Sequence, residues 1–115
     1  MLHTKRAYQA YNTSDGYRVL VDRLWPRGIT KDKAHIDCWL KEIAPSAQLR
    51  KWFAHDPGKW EEFKKRYREE LKDSVALPEL VKIIKEKKVV TLVYAAKDEV
   101  HNNAALLEEI LSIKM

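Results

Sequence analysis

Val-Val-Thr-Leu-Val-Tyr at Val89–Tyr94 decides the fold of this 115-residue chain. The run is strand-length, rich in β-branched residues and free of charge, with lysines before it and Ala95-Ala96-Lys97-Asp98 after it. A strand with one wet face alternates polar and apolar residues. This one does not, so it predicts burial on both faces, as in a parallel sheet covered by helices. The flanks support that reading. On the N-terminal side, Pro78 opens a helix with Leu80, Val81 and Ile84 inward and Lys85, Lys87 and Lys88 at its C-terminal end. On the other side, Val100, Ala104, Leu107 and Leu111 predict a last helix from about Asp98 to Ile113.

The remaining elements fit the same architecture. Leu2–Tyr8 is a first strand of weak signal, and Thr13-Ser14-Asp15-Gly16 is a turn feeding a strand over Arg18–Leu24. Pro26 and Gly28 end that pattern too early for a helix. Thr30 caps a single helical turn. Ile36, Cys38 and Leu40 alternate with Asp37, Trp39 and Lys41, which suits a short half-exposed strand and, nearly as well, a helical turn. Ser46 is an N-cap for a helix carrying Leu49, Trp52 and Phe53. Asp56-Pro57 starts the next, in which Trp60, Phe63, Tyr67 and Leu71 form an apolar stripe to about Lys72. Residues 1–115 thus read as a single compact α/β domain, a small mostly parallel or mixed sheet flanked by helices.

Composition narrows the class. One cysteine, Cys38, excludes an internal disulfide and a thiolate metal cluster, and without an activating neighbour it reads as a structural thiol. His3, His35, His55 and His101 show no ligand spacing, so no metal and no cofactor are expected. No run approaches the roughly 20 apolar residues that span a bilayer, and no signal segment is visible, so a cytoplasmic, membrane-free protein is expected. The net charge of +5 favours anionic partners. Nucleic acid is the weaker expectation, because a dedicated binder is usually more lopsided and the Lys64-Lys65-Arg66 run is interleaved with glutamates.

Chemistry concentrates at two strand ends. Val19–Gly28 reads Val-Leu-Val-Asp-Arg-Leu-Trp-Pro-Arg-Gly, placing Arg23, Trp25 and Arg27 where ligands gather in open α/β sheets. Guanidinium forks take phosphate or carboxylate bidentately. The alternative is that these arginines pair with Asp22, Asp37 or Glu42 and fix the loop. Asp22 itself is either an arginine's buried partner or an acid of raised pKa. At the second end, Ala95 and Ala96 permit close approach, Lys97 adds charge, and Asp98 or Asn102 caps the last helix, whose N-terminus suits an anion. Asp98 and His101 are the acid/base candidates there, against a plain cap and a surface histidine. Trp52 and Trp60 belong to apolar stripes, whereas Trp25 and Trp39 are free to line a pocket.

Taken together, Val19–Gly28, Ala-Pro-Ser at Ala44–Ser46, Leu-Arg-Lys-Trp-Phe-Ala-His-Asp-Pro at Leu49–Pro57, Trp60-Glu61-Glu62-Phe63 and Tyr94–Asp98 with His101-Asn102 resemble the YeaO-like family of small bacterial and archaeal domains. The resemblance covers essentially the whole chain. It implies an α/β domain and brings no established reaction. Longer relatives carry Cys-His-Arg where this chain has Val100-His101-Asn102, so the resemblance carries over only the histidine. Nothing in the order of elements matches a winged-helix regulator. The expectation is therefore a domain binding a small phosphate- or carboxylate-bearing ligand, with catalysis open, at the ends of strands 18–24 and 89–94. The alternative is a nucleic-acid-binding module or regulator.

Overall fold

The structure, a computed structural model, describes residues 1–114. Four strands, β1 (Leu2–Arg6), β2 (Tyr17–Leu20), β3 (Cys38–Trp39) and β4 (Val90–Tyr94), form one sheet in the order β1-β4-β2-β3, with every pairing parallel. The mixed alternative therefore does not arise. β4 lies inside, and all five of its residues are buried, as its uninterrupted apolar run requires.

Among the described residues five α-helices complete the domain: α1 (Lys31–Ala34), α2 (Ala47–Phe53), α3 (Trp60–Lys72), α4 (Ala76–Glu86) and α5 (Asn103–Lys114). One sheet face, with Val19, Val90, Leu92 and Tyr94, meets the helical core of Phe53, Phe63, Tyr67, Leu80, Leu107 and Leu111. Tyr67 is fully inside, and its hydroxyl donates to Ile43 O at 2.6 Å, so its apolar body and polar tip are both accommodated. The other face has no long helix. Leu20, Val93 and Ala7 are covered there by Trp25, Ile29, Ile36 and Trp39 from the loops.

The start of that second face is polar. Arg18 lies beside Thr91 in the register, is 1% exposed, and donates to Asp15 Oδ2, His35 O and Ala34 O. Asp15 also receives Lys5 Nζ and Asn12 N, and Thr91 Oγ1 donates to Asp15 O. Burial pushes the Asp15 carboxyl up, but the hydrogen bonds from Lys5, Asn12 N–H and Arg18 together hold it below the ordinary value.

Several boundaries differ from the sequence expectation. β2 ends at Leu20 rather than Leu24, because the chain leaves the ladder once Val21 N has reached Val93 O. α4 starts two residues before Pro78, a position in the first turn where the missing N–H is harmless. α5 starts at Asn103, not Asp98. The short strand at Cys38–Trp39 is confirmed over the helical alternative, and Ser46 and Asp56 cap as expected. Trp52 and Trp60 pack on the rim of the core, only partly buried.

Candidate functional site

Parallel strands deliver their carboxyl ends to one edge of the sheet, and β2 and β4 are neighbours there. Beyond them opens a cleft of about 790 Å³. Its lining includes all seven residues proposed from sequence: Arg23, Trp25, Arg27, Lys97, Asp98, His101 and Asn102. The two charged strand ends thus converge on one space, of a size ordinary for small-molecule sites.

Asp22 joins the two ends. Its Oδ2 accepts from Ala95 N at 2.8 Å, and its own carbonyl accepts Trp39 Nε1 at 2.8 Å. Burial raises the Asp22 carboxyl above its usual range, against opposing pulls from Ala95 N–H, Asn103, Arg50 and His55. Among the described residues no arginine comes within ion-pair distance of Asp22, so the reading of Asp22 as an arginine's partner is corrected: Ala95 N–H bonds its carboxylate and the Asn103 side chain lies against it. From the other side, Arg6 Nε donates to Ala96 O at 2.8 Å, and the loop after β4 is fixed between Arg6 and Asp22.

The arginines divide. Arg23 lies 3.5 Å from Glu42 with both groups well exposed, a pair of little energetic consequence. Arg27 is exposed and has no carboxylate partner among the described residues; Tyr8 Oη donates to its carbonyl at 3.0 Å and holds the loop. Trp25 Nε1 donates to Ile29 O at 2.6 Å, and the ring meets Trp39 edge-on at 5.5 Å, which locks the cleft wall.

Asp98 does not cap α5. Its Oδ1 accepts from Val100 N and His101 N, and its Oδ2 meets His101 Nδ1 at 2.8 Å, closing a turn before the helix. The backbone N–H groups of His101 and Val100 and the His101 ring hold its carboxyl down to about 2. Asn102 takes the cap instead: Oδ1 accepts from Ala105 N at 2.8 Å while Nδ2 donates to Asp98 O at 2.9 Å. The sequence offered both caps, and the tighter turn leaves only Asn102 next to the first helical N–H groups. His101 also meets Trp60 edge-on at 5.4 Å.

Sequence reasoning missed Arg50, His55 and Asn103, which line the same cleft. The Ala-His-Asp-Pro sequence after α2 was the available signal. Ala54 and His55 both adopt left-handed backbone, with φ of 48° and 58°, and this turn puts His55 on the cleft. Adjacent left-handed non-glycine residues are strained, and such strain gathers at functional sites. The Ala54→Gly variant is expected to be more stable by about 0.5–1 kcal/mol in urea unfolding, the relief of a left-handed Cβ outweighing the extra chain entropy.

Among the described residues no three His, Cys, Asp or Glu side chains come together as a metal site, and no helix is long and apolar enough to cross a membrane.

A parallel α/β domain with a cation-lined cleft at its strand ends is the class this fold and site define. Within that class the chain belongs to the family described as the inactive DUF488-N3 subclade, whose model matches residues 1–115. It is 46% identical to the uncharacterized protein Rv3073c of Mycobacterium tuberculosis over 93% of this chain and 90% of that one. It is 41% identical to the uncharacterized protein YeaO of Escherichia coli over 96% of each. The YeaO-like resemblance is thereby confirmed. No solved structure matches the chain.

Proposed function

We propose that the domain binds a small phosphate- or carboxylate-bearing ligand in this cleft, held by Arg27 and Lys97 with Arg23 at the rim. The carrying observation is an imbalance of available charge. Arg23, Arg27, Arg50 and Lys97 line the cleft against Asp22 and Asp98, of which Asp98 is engaged on both carboxylate oxygens and Asp22 on one. Anions are the complement of such a lining.

A binding role is favoured over covalent catalysis. Asp98 orients His101 as an acid/base dyad would, yet no Ser, Thr or Cys lines the cleft for that imidazole to activate. Cys38, on β3, is not among the lining residues. The family's description as an inactive subclade agrees with a dyad lacking a nucleophile.

Calorimetric titration with inorganic phosphate and propyl phosphate tests the reading. Arg27→Ala and Lys97→Ala should each weaken binding about tenfold, the loss of one charge-assisted contact. As exposed substitutions they should move unfolding stability by no more than about 0.5 kcal/mol. Undiminished binding in both variants would contradict the proposal. So would exclusive, steeply salt-dependent binding of DNA or RNA, which instead marks a nucleic-acid surface.

A further inference from the structure

Asp22 occupies an unusual position for a carboxylate in a cationic cleft. Its backbone is fixed: Val21 N donates to Val93 O, Asn103 Nδ2 donates to Val21 O, and Trp39 Nε1 takes the Asp22 carbonyl. One carboxylate oxygen, Oδ2, serves Ala95 N. Asn103, whose Nδ2 donates to Val21 O, lies against the same carboxylate and adds a weaker pull on it, and among the described residues no hydrogen bond of ordinary geometry ends on the other oxygen, Oδ1. Among the described residues no buried side-chain oxygen or nitrogen lacks a partner, so the unpartnered Oδ1 is open to the cleft that Asp22 lines. A rigidly held acceptor thus faces a space whose other charges are cationic.

Resting on the anion-binding reading, we propose that Asp22 receives a hydroxyl of the ligand, so that the cleft selects hydroxylated anions, phosphorylated or carboxylated polyols, over simple ones. Arg50 decides between a hydroxyl and an ammonium. The Arg50 guanidinium acts on Asp22 as a neighbouring positive group, and an ammonium placed there would face it. A hydroxyl donates to Asp22 Oδ1 and can accept from Arg50 at the same time. Trp25, Phe53 and Phe63 line the remaining wall and offer apolar surface to the C–H faces of such a ligand.

Matched pairs read this directly: glycerol 3-phosphate against propyl phosphate, and glycerate against propionate, each titrated into the full chain. Wild type should bind the hydroxylated member about tenfold more tightly or better, as expected where a site is built around a ligand hydroxyl. Asp22→Asn should abolish that preference while keeping the fold. Its single amide oxygen is needed by Ala95 N, which turns the NH₂ toward the cleft as a donor where an acceptor had been. Thermal unfolding of the variant verifies the retained fold. Equal binding within each pair by the wild type, or an intact preference in Asp22→Asn, overturns the role of Asp22 and leaves anion binding standing. Failure of all four probes overturns both. A preference confined to the phosphate pair or to the glycerate pair supports the assignment and fixes the anionic group.

Discussion

Replacing Arg18 by methionine should lower the unfolding free energy by about 3–5 kcal/mol, the usual loss when one member of a buried ion pair is removed. That is a large share of the roughly 5–15 kcal/mol available to a domain. The reason is what the guanidinium leaves behind. Its Nη1 donates to Asp15 Oδ2 at 2.6 Å, its Nη2 to Ala34 O at 3.0 Å and its Nε to His35 O at 3.1 Å. Tyr11 covers it at 5.5 Å and stacks on His35 at 3.9 Å. Methionine fills the volume and satisfies none of these acceptors.

The loss should also depend on pH. Asp15 is depressed in the folded protein, so its stabilisation is fully present above the unfolded carboxylate value of about 3.9 and fades as pH falls toward the lower folded value. Without Arg18 the depression is smaller. Urea titrations should therefore show the gap between wild type and variant narrowing below about pH 4.

Gly16→Ala should cost about 3–5 kcal/mol by the same measurement, the sum of a strained backbone and an overpacked contact. Gly16 has φ 67° and ψ −135°, a conformation open to glycine and closed to residues with a Cβ. An added Cβ would lie 2.4 Å from Val89 O and 2.7 Å from Val89 Cβ. The site cannot relax easily. Val89 O already accepts Tyr17 N, and Thr91 Oγ1 grips Asp15 O, so the turn is pinned to the start of β4 on both sides of the glycine. This close approach seats the single 3-10 turn Thr13–Asp15 that carries the connection from β1 to β2 past β4.

The parts of the fold governed by short-range physics were legible in the sequence. β4 announced its two-sided burial by composition, and Ser46, Asp56 and the Trp60–Leu71 stripe placed α2 and α3. What stayed hidden depends on partners distant in sequence. β2 read four residues too long because Pro26 is the first local break after the apolar Val19–Val21, although the ladder already ends where Val21 N reaches Val93 O. The burial of Arg18 was not legible, since nothing local shows that Ala34 O and His35 O will meet its guanidinium.

The site followed the same division. Its seven sequence candidates share one cleft because they flank adjacent parallel strand ends, a consequence of topology alone. Arg50 was missed because it reaches the cleft from the middle of α2, and His55 because it arrives through the left-handed turn after that helix, which no periodicity signals.

Amide chemical-shift mapping of the ¹⁵N-labelled protein during titration with glycerol 3-phosphate tests the cleft most directly. Shifts concentrated at Arg23–Gly28, Ala95–Lys97 and Asn103, saturating on one common curve, are the predicted result. Shifts confined to the lysine-rich end of α4, or none at any of these positions, would contradict the account.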